Sequence, residues 1–199
     1  MELGTAKAAE LETGKAMGEG KCFGGCGRPE NIRVLMVEDQ KNYTDDMPVI
    51  EKYATRGIIR KDGKYAMQLG GDGEYKIPGG GMEEGESYVD ALCREVAEET
   101  GLVVDRSSVR FCGEVTEIRR DIFEEDKKFI KHLFVFFCEA GEERVEMRMT
   151  ESEIQRGFHP VWEKLETIIS GNRRVIKEEW RLRDTRLLEL LLEKGLIEP

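Results

Sequence analysis

The chain has little that would tie it to a membrane, a disulfide framework or a nucleic acid. It contains no run of roughly 18 or more apolar residues, the length a transmembrane helix needs. Its first segment, MELGTAKAAELETGKAMGEGK, lacks the apolar core of a signal peptide, so a cytoplasmic protein is expected. The five cysteines are an odd number and scattered, which fits reduced thiols better than paired ones. Cys22 and Cys26 have zinc-ligand spacing, but no second Cys or His pair accompanies them, and the only histidines are His132 and His159. A positive surplus is also missing. The formal charge is −10, from 41 acidic against 31 basic residues, which argues against a broad grip on nucleic acid or an anionic membrane. An acidic protein that handles phosphates needs cations as intermediaries.

What is present suits one domain with appendages: 199 residues, 39% of them hydrophobic, enough for a core. Residues 1–30 are rich in Gly, Ala, Glu and Lys without apolar periodicity and read as a flexible tail, so the domain is expected over 31–199. A first strand is expected at 32–38 and a hairpin at 53–69 about Asp62-Gly63, a pair that supplies the positive φ of a tight turn. A glycine-rich passage, GGDGEYKIPGGG, surrounds a short strand, and a helix follows. VRFCGEVTEIRRDIF and KFIKHLFVFFCEA have strand composition. Helices are expected at 162–169 and 175–195, the latter ended by Gly195. The order implies an α/β (α+β) fold, a mixed sheet between helical layers. His132 reads as a satisfied polar residue in a strand, His159 as a loop residue, Trp162 as packing, and Cys93, Cys112 and Cys138 as core or half-buried thiols.

The helix after the glycines carries the chemistry. At 100° per residue Tyr88, Ala91, Leu92, Glu95 and Glu99 share one stripe, with Glu98 on its flank. An acidic helix is more often a solvated face. Here, however, the carboxylates continue the apolar stripe instead of opposing it, and half-buried carboxylates need a partner or a cation. Spacings of three and four residues bring their oxygens together. Clustered oxygen ligands suit Mg²⁺ or Mn²⁺.

The segment resembles the Nudix box, Gx5Ex7REUxEExGU with U bulky and aliphatic, at Gly80, Glu86, Arg94, Glu95, Val96, Glu98, Glu99, Gly101 and Leu102. The resemblance implies a Nudix-type α/β/α sandwich with a catalytic loop-helix-loop. It implies that Glu95, Glu98 and Glu99 bind metal, that Glu86 supports the same site, that Arg94 orients a motif glutamate and that the Gly79 carbonyl can ligate. It further implies hydrolysis of a nucleoside diphosphate linked to another moiety, by water attack on phosphorus with Mg²⁺ or Mn²⁺. The base differs between members of the family: Glu99 is the helix candidate here, and Glu151 or Glu153, before Trp162, are loop candidates. No SQPWPFPxS run follows the box, and Thr116 stands where an ADP-ribose marker would place proline, so a nucleotide-type substrate is expected without a choice of base. The alternative is a catalytically silent Nudix-fold module that senses a nucleotide or sugar nucleotide. No nucleic-acid or membrane partner is expected. A homodimer is compatible with the resemblance and with the apolar LLELLL of the last helix.

Overall fold

A computed structural model describes residues 32–199. The tail and its Cys22/Cys26 pair lie outside the described residues. In chain order the elements are β1 (Val34–Asp39), β2 (Val49–Lys61), β3 (Lys64–Leu69), β4 (Tyr75–Lys76), α1 (Tyr88–Thr100), β5 (Leu102–Val104), β6 (Arg110–Arg120), β7 (Lys128–Cys138), β8 (Ala140–Arg144), α2 (Glu151–Gln155), β9 (His159–Glu163), α3 (Leu165–Val175) and α4 (Arg183–Glu193), with 3₁₀ turns at Arg106–Ser108 and Glu179–Leu182.

The sheet is mixed and runs β1-β6-β7-β2-β3-β4, with β9 also on β3. β2 joins its two halves. Its first eleven residues lie parallel to β7, Val49 opposite Lys128 through Ile59 opposite Cys138, and its end turns into an antiparallel hairpin with β3. The two-residue turn has φ of 50° at Asp62 and 73° at Gly63, as its tightness requires. β5 and β8 form a separate two-stranded ribbon.

Helices cover both faces of the sheet. Beneath α1, Tyr88, Leu92 and Val96 pack with Ile59, Ala66, Phe134 and Phe136. On the other face Leu165 and Ile168 of α3 and Leu187, Leu188 and Leu191 of α4 pack with Ile58, Tyr65, Met67, Leu133 and Val135. This is the α/β/α sandwich expected. The α4 leucines are used inside the fold, so a homodimer would need another surface. Cys93 is half-buried, and Cys112 and Cys138 are buried; burial pushes the latter thiols up to about 11 and 12. Among the described residues no helix is long and apolar enough to cross a membrane.

The C-terminal third departs from expectation in three places. First, the helix expected over 175–195 is broken. α3 extends to Val175, Ile176 is extended at φ −82°, ψ 124°, and helix resumes at Arg183 after the 3₁₀ turn. Ile176 and Leu182 are both buried, so the apolar spacing carries through although the backbone does not. Second, His159 begins a strand instead of lying in a loop, and Trp162 belongs to that strand instead of to a helix. β9 pairs only with β3, and an edge strand tolerates Pro160. Third, Glu151 and Glu153 lie on a short helix, α2, not on a loop.

Candidate active site

α1 is set by its two ends. The Ser87 hydroxyl accepts the Asp90 N–H at 3.1 Å, and Gly101, at φ 70°, closes the C-terminus by donating to Ala97. Between them the stripe behaves as its spacing suggests: Tyr88, Ala91 and Leu92 are buried, Glu95 is half-buried and Glu99 is 6% exposed.

The glycine loop is laid along β2 by three backbone bonds, Gly57 N–H to Pro78, Thr55 N–H to Gly80 and Met82 N–H to Tyr53. This brings the loop hard against α1. A Cβ on Gly79 (φ 131°) would lie 2.3 Å from the Thr55 carbonyl, and one on Gly80 would lie 2.1 Å from a Glu95 oxygen. Only residues without side chains permit both approaches.

Arg94 gathers the carboxylates on the outer side. It forks onto Glu86 at 2.7 and 2.8 Å, reaches Glu95 at 2.8 Å and Glu98 at 3.2 Å, and donates to the Gly81 carbonyl at 2.9 Å. The bidentate partner is Glu86, eight residues back, and not the i, i+4 neighbour Glu98. Arg94 holds Glu86 below the usual carboxylate range, whereas burial pushes Glu95 up in spite of Arg94. Glu99 turns inward. Its Oε2 accepts the Gly79 N–H at 2.7 Å, and burial, only partly offset by Arg56, pushes its carboxyl up to about 8. Glu153 adds to the upward push on Glu99, although its own carboxylate is tied to Thr150 in a capping box. Glu151 is exposed.

Among the described residues no three His, Cys, Asp or Glu side chains converge as a ready metal cluster. The donor set nonetheless suits a hard divalent ion. Glu95, Glu98, Glu99, Glu86 and the Gly79 carbonyl offer oxygen only, and the buried Glu99 carboxyl sits where its charge is poorly compensated.

Sequence reasoning missed what lies behind Gly79. The Gly79 carbonyl accepts from the guanidinium of Arg56, a β2 residue whose Nε lies 3.7 Å from Asp184 of α4. Arg56 also lines a cavity of about 550 Å³ between the sheet and the α4 entrance. Its cations are Arg56, Lys76, Arg119, Lys131, Arg156, Arg181 and Arg183; its carboxylates are Asp72, Glu74, Glu117, Glu178 and Asp184; Tyr75, Phe129 and Trp180 supply rings. Burial alone would raise Asp184, but Arg183 and Arg56 hold it down at about 2. Burial, with Arg56 and Arg183 close by, pulls Lys131 down to about 7. The one signal in the sequence was a lone cation inside an apolar strand, in YATRGII and in FIKHLF. His132 faces the other way. It lies between Glu114 (2.6 Å) and Glu51 (2.9 Å) and stacks on Tyr53, a satisfied polar residue as expected.

The chain matches the NUDIX domain family over residues 57–191. No curated protein matches significantly. Among solved structures it is similar to a NUDIX hydrolase from Nitrosomonas europaea, at 16% identity and a TM-score of 0.53, over 75% of this chain and 97% of that one. It is also similar to a MutT protein from Bacillus halodurans, at 22% identity and a TM-score of 0.48 over 69% and 80% of the two chains. An ADP-ribose pyrophosphatase from Streptococcus suis follows at 19% identity and a TM-score of 0.44, over 74% and 94%. The first of these likenesses concerns the fold alone; the family match spans more than half of the chain and includes the whole of α1. The chain belongs to the NUDIX family and is a Nudix hydrolase.

Proposed function

We propose that the protein is a Mg²⁺- or Mn²⁺-dependent pyrophosphohydrolase that cleaves a phosphoric anhydride in a nucleoside diphosphate linked to another moiety. The observation that carries this reading is the continuous link from the cation-lined cavity through Arg56 and Gly79 to the buried Glu99. Anionic phosphates have a place to bind beside carboxylates that would otherwise repel them. Glu95, Glu98 and Glu99, with Glu86 and the Gly79 carbonyl, would hold the metal, which supplies neutralisation of the diphosphate and activation of water.

The remaining steps belong to the chain. Arg94 fixes Glu86, Glu95 and Glu98 relative to one another, so that their oxygens need little reorganisation during reaction. Glu99 has one oxygen on the Gly79 N–H and the other left to take the proton of an attacking water. Glu153, close enough to Glu99 to influence its charge, is the alternative base, with Glu151 further out. The cavity arginines bind the diphosphate, and Tyr75, Phe129 and Trp180 offer faces to a base. On this reading residues 31–199 form the working domain, residues 1–30 are a tail, and the protein acts in the cytoplasm on a small nucleotide-type molecule.

The test is release of phosphate or pyrophosphate from nucleoside triphosphates, dinucleotides, ADP-ribose and sugar nucleotides, with Mg²⁺ or Mn²⁺, comparing wild type with Glu98→Gln. Metal-dependent turnover that collapses in the variant is expected. No turnover across the panel, with thermal stabilisation by one of the compounds, would replace the enzyme by a nucleotide-sensing module.

A further inference from the structure

The cavity behind Gly79 is overstocked with positive charge: seven cations face five carboxylates. The arginines are matched. Arg183 bonds Glu117 and Asp184, Arg119 bonds Glu117, and Arg156 and Arg181 share Glu74. The two lysines are not. Lys76 lies over the Phe158 ring at 4.6 Å, and among the described residues neither Lys76 nor Lys131 has a carboxylate within ion-pair distance. Both are half-buried, so their ammonium groups have lost water while the carboxylates that favour them, Glu74 and Asp184 for Lys76 and Glu117 and Asp184 for Lys131, act only from beyond ion-pair distance. They come from different strands, β4 and β7, and both lie within electrostatic reach of the same pair, Arg56 and Asp184. A phosphate that ends its chain carries close to two negative charges near neutral pH and several acceptor oxygens, so one such group can meet both ammonium groups and hold them in their charged form.

We infer that Lys131 and Lys76 select a substrate carrying a chain-ending, dianionic phosphate in addition to the scissile anhydride. The inference rests on the hydrolase reading for the site but not on turnover. The anhydride itself would lie nearer α1, on the far side of Arg56, where the carboxylates are. That group could be a monoester on a ribose hydroxyl or, with the same charge, the anhydride-linked terminal phosphate of a nucleoside polyphosphate; the chemistry that recognises it is the same. Diphosphate diesters without such a group leave both ammonium groups unmatched and are the poorer ligands. Lys131 and Lys76 are specificity residues in this scheme, since they touch neither the anhydride nor the water.

Calorimetric binding without metal, so that nothing is hydrolysed, tests the inference with two ligand pairs. NADPH against NADH isolates a ribose phosphate, and ATP against ADP-ribose exchanges a terminal ribose for a terminal phosphate. One pair should show a preference of about tenfold or more for the member with the chain-ending phosphate. Lys131→Gln and Lys76→Gln should each cut that preference at least about fivefold while leaving the other member's Kd within about twofold, and Lys131→Arg should retain it. Equal binding within both pairs, or variants that weaken both members alike, would overturn it. Failure of catalysis would sink the hydrolase reading and leave these titrations unaffected, so the two can fail separately.

Discussion

The backbone N–H of Gly79 points at Glu99 Oε2 from 2.7 Å while the carbonyl of the same residue accepts from Arg56. One peptide therefore aligns the helix carboxyl with the cation-lined cavity. Gly79→Ala would put a methyl group 2.3 Å from the Thr55 carbonyl at a φ of 131°. The loop must move, at a cost of roughly 1–3 kcal/mol. Turnover should fall roughly 100-fold while urea unfolding still shows a folded protein, because the displaced group is a positioning one. An alanine variant with full kcat would show that Glu99 does not need this alignment.

Glu99 is a case where stability and activity should part. Its carboxyl is 6% exposed and pushed up to about 8 by burial, so folding is penalised as pH rises toward that value and the group must ionise. Glu99→Gln keeps an acceptor for the Gly79 N–H and removes the ionisation. At pH 8 to 9 the variant should melt no lower than wild type in metal-free buffer, yet its kcat should drop at least about 100-fold. Near-full turnover with unchanged metal affinity would transfer the base to Glu153 or Glu151.

His132 should matter for the fold and not for the reaction. It lies between Glu114, which is fully buried, and Glu51, and the three residues tie β6, β7 and β2 together. His132→Ala strips the imidazole contact from a buried carboxylate and should cost about 2 kcal/mol in urea unfolding at pH 7. KM for the best substrate should hold within about twofold, since the residue faces away from the cavity. A cost well under about 1 kcal/mol would mean that Glu114 does not depend on the imidazole.

The acid limb of stability should run through Asp184. Its folded value, about 2, lies below the ordinary 3.8, so its contribution is complete above about 4 and lost as pH falls toward 2. The difference corresponds to about 2 kcal/mol. Comparing urea midpoints between pH 5 and 2.5 should show a steeper decline in wild type than in Asp184→Asn, which begins less stable. Parallel curves would mean that Arg183 and Arg56 do not hold this carboxyl down.

The parts legible in the sequence were those with a local cause. Asp62-Gly63 dictated the hairpin, the box spacing dictated α1, and β-branched and aromatic runs dictated β6 and β7. The break at Ile176 was hidden because buried residues kept a helical rhythm across non-helical backbone, and β9 was hidden by Pro160. The cavity was illegible for a different reason. Arg56, Lys76, Lys131 and Arg183 come from four separate elements, and each alone is only a charge in an apolar neighbourhood. Periodicity assigns a residue to a face of its own element, but convergence between elements is a property of topology.

That topology also governs when the site can come into being. β2 needs β7 as its parallel neighbour, and α1, which carries the carboxylates, lies between them in the chain. Such distant pairings close slowly, because loop entropy is spent before contacts repay it. During synthesis α1 can coil as soon as it emerges, but Arg56 meets Asp184 only after α4 has left the ribosome and docked. A nascent chain would thus carry the acidic helix well before the cationic cavity, and the two would face each other only when folding is complete.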